Sequence, residues 1–238
     1  MADPAVHAVK PAPPSSRKDR AALWAYVRYF WRDVVMIVGF AASMWVMELL
    51  NRPIGTVHDL SIPLDDKIPL VPWTVIPYNT WGPILIILAI TYFFVDRILC
   101  RRYVITMLVG QLMADLTFPF FQTKIPRPYA TVFGADDIFS KLLAWVYRTD
   151  NHYCGFPSIH VTLCTITIFF VWQWKDGKTW LKVLLTLHYL FIMATTVLTK
   201  QHVFLDIPGG WLYGLAAIPL SIPLIRWADR KVFGDTYR

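Results

Sequence analysis

The sequence predicts an all-α fold, an integral membrane six-helix bundle, and three observations predict it. Of the 238 residues, 56% are hydrophobic and only 16% charged, whereas soluble domains run nearer roughly 45–50% apolar. The apolar residues come in long blocks, and the mean hydropathy is +0.44. Tryptophan and tyrosine recur at the block edges (Trp31, Tyr78, Trp81, Tyr103, Trp174, Trp180, Trp227), where amphipathic rings settle at the headgroup level of a bilayer. The net charge of +7 does not point to nucleic acid, because the basic residues lie between apolar blocks rather than on one recognition element. Cys100, Cys154 and Cys164 fall in different segments without metal-ligand spacing, so neither a structural disulfide nor a zinc site is expected.

From the N-terminus, Met1–Ser16 is rich in proline and alanine and reads as a flexible tail. Arg17–Arg32 is basic and aromatic, with Trp24, Tyr26, Tyr29, Phe30 and Trp31, which suits a helix lying at the headgroups. The apolar run behind it lacks a small-residue cleavage site, so it is expected to stay as an anchor. A spanning helix needs about 17–25 apolar residues. Six stretches supply them: Val34–Leu50, Tyr78–Val95, Tyr103–Phe121, Ser158–Trp174, Trp180–Thr199 and Ile207–Ile225. Residues 1–32 then form a cytoplasmic tail with an interfacial segment, 33–227 the membrane domain, and 228–238 a second cytoplasmic tail. No internal repeat is evident, so an inverted-repeat transporter is not suggested.

Orientation follows from the basic residues of alternate connections. Sixteen Lys and Arg fall on the side that holds both termini and seven on the other, which puts the termini in the cytoplasm. The outer connections at 51–77 and 122–157 are too long for simple turns. The first carries Pro53, Pro63, Pro69, Pro72 and Pro77, a series that prevents one continuous helix. In the second, Ile138, Leu142, Trp145 and Val146 repeat at helical spacing within Asp137–Tyr147, which predicts a short amphipathic helix on the outer surface.

The remaining polar residues gather in three segments. Lys124-Ile-Pro-Arg127-Pro128 follows the third span, and Phe156-Pro157-Ser158-Ile159-His160 opens the fourth. Thr199-Lys200-Gln201-His202-Val-Phe-Leu-Asp206 joins the fifth to the sixth. With the termini inside, all three emerge at one depth, which predicts an outer-face active site. Arg127 has the planar fork that suits phosphate oxygens, and Lys124 and Lys200 bring point charges. Ser158 supplies a hydroxyl, and the N–H groups at the start of the fourth span, that of Ile159 included, face an anion. His202 and Asp206 stand four apart and share a face if that stretch is helical. Asp206 then holds the imidazole in one tautomer, leaving His202 competent as a nucleophile toward phosphorus. His160 is the matching general acid. No carboxylate cluster suited to magnesium lies nearby, so neither metal nor cofactor is expected.

These residues resemble the type 2 phosphatidic acid phosphatase superfamily, which also includes vanadium haloperoxidases and glucose-6-phosphatase. The family carries Lys, six residues and Arg-Pro; then Pro-Ser-Gly-His; then Ser-Arg, five residues, His, three residues and Asp. Arg127-Pro128 matches the end of the first motif, Pro157-Ser158 with His160 the second, and His202 with Asp206 the third. The resemblance implies that His202 forms a phosphohistidine and His160 protonates the leaving group, in a six-helix bundle without metal. Three positions depart from it. Phe120 stands at the lysine of the first motif, Ile159 at the glycine of the second and Thr195-Thr196 at the Ser-Arg of the third. Phe-Pro-Ser-x-His, Thr-Lys-Gln-His and the upstream Asp65-x-x-Ile68-Pro69 look like the branch that includes inositol phosphorylceramide synthases, which contains transferases as well as phosphatases.

Each fragment taken singly has a blander reading. Ser-x-His at a helix start is usually structural, and His-x-x-x-Asp is common; three ordered motifs meeting at one face favour a site. Lys124 and Lys200 have a rival role against lipid headgroups. Asp115 and Gln111, inside the third span, are functional candidates by default, but their place away from the rim favours a helix–helix hydrogen bond. Glu48 is expected to snorkel, His188 to be packed and hydrogen-bonded, His152 and Tyr153 to shape the entrance, and Cys154 to be inert.

The leading expectation is a metal-independent lipid phosphatase of the plasma or inner membrane. It acts on a lipid phosphate or diphosphate whose chains enter from the bilayer. The alternative is a phosphotransferase that passes a phospho-headgroup to a lipid alcohol, and a third reading is a catalytically inactive lipid-binding relative. The orientation has a direct check. In a background without Cys100, Cys154 and Cys164, a cysteine at Asp137 should react with an impermeant thiol reagent in intact cells, and one at Gly177 should not; the reverse pattern would invert the topology.

Overall fold

The computed structural model describes residues 20–232, most of them helical. The tail read over Met1–Ser16, the first residues of the basic segment and the end of the chain past 232 lie outside the described residues. Helix α1 runs over Arg20–Leu50, and no proline or glycine interrupts it before Gly39. The basic aromatic segment and the first expected span are therefore one continuous helix, because nothing breaks the i to i+4 ladder between them.

Strand β1 (Val57–Asp59) follows, then a 3₁₀ turn at Pro72–Thr74 and the helices α2 (Val75–Asn79) and α3 (Trp81–Val95). The second span was expected to begin at Tyr78, yet the chain turns helical at Pro72 and is jointed at Thr80. The Thr80 hydroxyl is held by the Pro77 carbonyl at 2.6 Å and by His188 Nε2 at 2.8 Å. A single residue, Asp96, separates α3 from α4 (Arg97–Thr117) and caps it by accepting the Leu99 N–H at 2.9 Å.

The third span was expected at Tyr103–Phe121, and the helix is shifted towards the N-terminus at both ends. Its first turns carry Arg97 and Arg101, which turn inward to Asp33 of α1; Arg101 Nε donates to Asp33 Oδ1 at 2.5 Å, and Arg97 pairs with the same carboxylate. A buried charge is tolerable once paired and hydrogen-bonded, so a stretch too charged for an apolar pattern still enters the helix. At the other end Pro119 stops it, since proline has no N–H to continue the ladder, and Phe118, still helical in its backbone, makes the last such bond, to the Ala114 carbonyl.

Beyond α4 come β2 (Gln122–Lys124), α5 (Tyr129–Phe133) and α6 (Ile138–Thr149). Strands β1 and β2 pair in parallel, with Val57 opposite Gln122, His58 opposite Thr123 and Asp59 opposite Lys124. The all-α expectation thus needs one correction. Prolines keep the two long connections extended on either side of Val57–Asp59 and Gln122–Lys124, and extended chain satisfies its backbone groups by pairing. Helix α6 is the expected amphipathic helix, capped by Asp137 Oδ1, which accepts from the Phe139 and Ser140 N–H groups.

The remaining helices are α7 (Ile159–Gln173), α8 (Thr179–Leu198) and α9 (Asp206–Lys231). Helices α4, α7 and α9 pack on one another, with α1 and α3 against α4 and α8 against α7. Among the described residues, four stretches are long and apolar enough to cross a membrane: Phe30–Leu50, Pro72–Val95, Thr179–Leu198 and Asp206–Lys231. Only 11% to 33% of each apolar window is buried inside the protein, and residues such as Ile86, Leu187 and Leu212 face outward. Helices this greasy on their outer faces need an apolar solvent. The other two expected spans fall short of that standard for separate reasons: α7 has 15 residues, and any 18-residue stretch of α4 holds three of Arg97, Arg101, Arg102 and Asp115.

Glycines let α9 lie directly on α7. A Cβ at Gly210 would stand 2.6 Å from Val161 Cβ and 2.7 Å from the Ser158 carbonyl; one at Gly214 would stand 2.6 Å from Thr165 Cβ and 2.8 Å from the Thr162 carbonyl. Small residues permit this close backbone approach between membrane helices. Gly214→Ala should therefore cost about 1–3 kcal/mol by overpacking and lower the thermal midpoint in detergent. Gly39→Ala, with nothing within 4 Å, should leave it unchanged or slightly raised; equal midpoints for both variants would show that the α7–α9 contact is slack.

Candidate active site

The turn from α8 to α9 is the centre of the site. Residues 199–205 are turns and bends rather than helix, so His202 and Asp206 do not share a helical face as their spacing suggested. The imidazole instead reaches across the turn to the first residue of α9. His202 Nδ1 lies 3.0 Å from Asp206 Oδ2, and the Val203 N–H donates to the same oxygen at 3.1 Å. Several contacts hold this shape. The Gln201 and His202 N–H groups both donate to the Thr196 carbonyl, at 2.9 and 3.0 Å. Lys200 adopts φ +54, a left-handed conformation costly for a residue with a Cβ. Its Nζ donates to the Asp65 and Ile68 carbonyls at 2.8 and 2.6 Å, and Asp65 Oδ1 accepts the Phe204 N–H at 2.7 Å.

The start of α7 brings the second histidine to the first. Ser158 is fully buried; its hydroxyl accepts the Val161 N–H at 3.3 Å, and its own N–H donates to the Asp206 carbonyl at 3.3 Å. One turn of helix then sets His160 Nδ1 at 3.4 Å from His202 Nε2. The rings of Tyr78 and Trp81 lie 4.8 and 4.6 Å from the His160 ring. The protons follow by elimination. A carboxylate only accepts, so His202 carries a hydrogen on Nδ1, and in its neutral form it presents a lone pair at Nε2. The hydrogen between the two rings then belongs to His160 Nδ1.

Arg127 lies beside this pair, 7% exposed, with its guanidinium over the Tyr147 ring at 4.9 Å. Nη1 donates to the Asp150 carbonyl at 2.5 Å, and Nη2 to the Asn151 carbonyl at 3.0 Å and Gln201 Oε1 at 2.5 Å. The Asp150 carboxylate sits 3.4 Å from Nη2 and accepts from Asn51 Nδ2 at 2.9 Å. Burial pushes that carboxyl above its ordinary value, and the charge of Arg127 pulls it partway back. A cavity of about 340 Å³ opens over Arg127, Gln201, His160 and His202, with Glu48, Asp150, Tyr78, Trp81 and Trp145 also on its wall.

The structure brings His160, His202, Asp206, Arg127 and Ile159 together; Ile159 lines the cavity and Ser158 lies behind it as the helix cap. The two lysines are not part of that wall. Lys124 is exposed on β2 opposite Asp59, and Lys200 spends its amine on loop carbonyls. Phe120 is 87% exposed and Thr195 and Thr196 are buried in α8; none of the three lines the cavity. Gln111 Nε2 donates to Asp115 Oδ1 at 2.9 Å, a bond within α4 rather than between helices, because the two stand one turn apart on the same face. Glu48 is exposed at the cavity rim, and His188 is bonded to Thr80. His152 Nδ1 and the Tyr129 hydroxyl are hydrogen-bonded at 3.1 Å, and the His152 ring stacks on Tyr153. Burial, then Arg127 and Lys124, lower its basicity. Burial likewise raises the Cys154 thiol above its ordinary value, which leaves it unreactive. Among the described residues, no group of three or more His, Cys, Asp or Glu is placed to hold a metal ion.

Sequence reasoning gave Asp150, Asn51 and Gln201 no role, and read Tyr78 and Trp81 only as anchors at the headgroup level. Gln201 was in plain view inside the Lys-Gln-His run; the others reach the cavity only through tertiary contacts. A family model described as PAP2 superfamily matches residues 50–220. No curated protein matches this sequence.

The two lysines should now behave differently. Lys200→Met removes two hydrogen bonds of a charged donor, each worth roughly 1.5–3 kcal/mol, and should lower the thermal midpoint clearly. Lys124→Met, an exposed change, should stay within about 0.5 kcal/mol. Equal midpoints would mean that Lys200 is no strut.

Proposed function

The chain belongs to the PAP2 superfamily, and from that premise we propose that it is a metal-independent membrane lipid phosphatase. It hydrolyses a lipid phosphate or diphosphate through a phosphohistidine on His202. The observation that carries this reading is the line from Asp206 through His202 to His160, at 3.0 and 3.4 Å, on the wall of a cavity shared with Arg127.

His202 Nε2 attacks phosphorus, and the bond from phosphorus to the lipid oxygen breaks as the bond to nitrogen forms. His160, entering the step as the imidazolium, gives its Nδ1 proton to the departing alkoxide and becomes neutral. Asp206 holds the Nδ1 hydrogen and stabilises the imidazolium character that develops on His202. Water then attacks the phosphohistidine, His160 takes its proton, and the P–N bond breaks to release inorganic phosphate. Arg127 binds the phosphoryl oxygens, helped by the Ile159 N–H at the head of α7 and the cap at Ser158. Lys124 and Lys200 act outside the cavity, the first towards headgroups and the second on the turn.

The same reading makes the protein a six-helix bundle with cytoplasmic termini and an outer-face site. The start of α7, the end of α8 and the start of α9 all meet at the site, and the Lys and Arg count favours the opposite end as the cytoplasmic one. Helix α4 joins the spans because Asp33 neutralises its inward arginines.

A second reading is a phosphotransferase of the inositol phosphorylceramide synthase-like branch, in which a lipid alcohol replaces water. It is favoured by one observation: the Asp65–Ile68 stretch that resembles that branch grips the Lys200–Phe204 turn. Purified protein incubated with lipid phosphates, with and without lipid alcohols, separates the two. Free phosphate alone supports hydrolysis, and a new phospholipid supports transfer.

The histidine roles are separable. His202→Ala should form no covalent intermediate with any substrate. His160→Ala should lose a lipid substrate by about a hundredfold or more, in line with general-acid contributions, yet keep much of its rate on p-nitrophenyl phosphate, whose leaving group needs no proton. Asp206→Asn should be a weaker form of the first defect. Activity retained on the activated ester by the His202 variant and lost by the His160 variant would reverse the assignment.

A further inference from the structure

Gln201 is 1% exposed and lies on the cavity wall between Arg127 and His202. Its amide has a defined orientation. A guanidinium can only donate, so the atom 2.5 Å from Arg127 Nη2 must be the carbonyl oxygen Oε1. The NH₂ group is thereby turned away from Arg127. That nitrogen has no hydrogen-bond partner, and neither does the buried Nε of Arg127 itself. A buried donor left without an acceptor is unfavourable, and here two of them occur on adjoining side chains of one cavity.

The charge inventory of the cavity says what they await. Among the described residues, Arg127 is the single Lys or Arg on its wall, whereas Glu48 and Asp150 are both present. Phe120 and Thr195-Thr196 supply no cation, Lys200 spends its amine on the Asp65 and Ile68 carbonyls, and Lys124 is exposed on β2 away from the wall. An oxyanion placed at His202 Nε2 would therefore meet one fixed positive charge, and the rest of its binding must come from neutral donors. The arrangement is also stiff: Tyr147 stacks on the guanidinium, Asn51 holds Asp150, and the Gln201 N–H is tied to the Thr196 carbonyl.

We propose that Gln201 is a phosphate-binding residue, its Nε2 and the Nε of Arg127 donating together to the non-bridging oxygens of the phosphoryl group at His202. The inference rests on the reading of His202 as the phosphoryl acceptor and adds a residue to it. Gln201 does two jobs through one amide: the oxygen holds Arg127 in place, and the nitrogen contacts the substrate. The site thus replaces a missing cation by a preorganised neutral donor.

The test uses orthovanadate as the probe on the full chain in detergent. The sequence has four glutamines, Gln111, Gln122, Gln173 and Gln201, so ¹⁵N-glutamine labelling gives few side-chain amide signals, and that of Gln201 is assigned by its loss in Gln201→Leu. Orthovanadate should shift the Gln201 signal and leave the other three in place. By calorimetry, Gln201→Leu should weaken orthovanadate binding about tenfold or more. Gln201→Glu keeps an acceptor for Arg127, loses the donors and adds a negative charge, so it should bind no better than Gln201→Leu while melting no lower than the parent. An unmoved Gln201 signal in saturated protein, or parent-like affinity in either variant, overturns the role of Gln201 and leaves the phosphohistidine reading standing. If the parent protein itself binds no orthovanadate, the phosphoryl-transfer reading falls and takes this inference with it.

Discussion

A carboxylate without solvent contact heads α9, and its hydrogen bond to the His202 imidazole conditions the structure around it. Asp206 is 0% exposed, a position that an ionised group tolerates only with donors close by. His202 Nδ1 and the Val203 N–H supply them at one oxygen, and the positive end of the α9 dipole favours the charge further. To bring the imidazole over the carboxylate, the chain must leave α8 sharply and double back. That demands the left-handed Lys200, the two N–H bonds to Thr196 and the clasp on Asp65 and Ile68. The geometry of one proton therefore reaches back into a loop more than a hundred residues earlier in sequence.

The second histidine is coupled to the same carboxylate through backbone. Ser158 caps α7 and donates its own N–H to the Asp206 carbonyl, so the first turn of α7 and the first turn of α9 are joined where the two imidazoles face each other. Close packing at Gly210 and Gly214 extends that registration down both helices. Neither histidine can shift without moving a helix that is wedged against its neighbour, and this rigidity is what a short relay between rings requires.

What the sequence conveyed depended on the range of the interaction. Long apolar blocks are local, so α8, α9 and the C-terminal end of α1 emerge close to their expected places, and the amphipathic repeat reveals α6. The start of α4 was misread because its arginines look interfacial until Asp33, over sixty residues away, is seen beside them. The parallel pairing of β1 with β2 joins two irregular connections and has no local signature. Within the site, residue types were legible: His160, His202, Asp206 and Arg127 converge. The assignment of cations was not, because a lysine is identical in sequence whether its amine faces a ligand or two carbonyls. The His202–Asp206 spacing suggested a helix for the contact, and the contact is made by a turn.

The cavity draws its walls from separate parts of the chain. The histidine side belongs to α7 and to the turn between α8 and α9, whereas Met47, Glu48, Trp145 and Thr149 come from the end of α1 and from α6. Helix α1 is the most exposed of the apolar stretches, and Trp145 is itself 56% exposed. Mutations on that wall disturb no buried ion pair of the reacting centre and no glycine contact. On the proposed reading, selectivity and chemistry rest on different elements, so substitutions in α1 and α6 would change what the cavity accepts and leave the proton machinery in place.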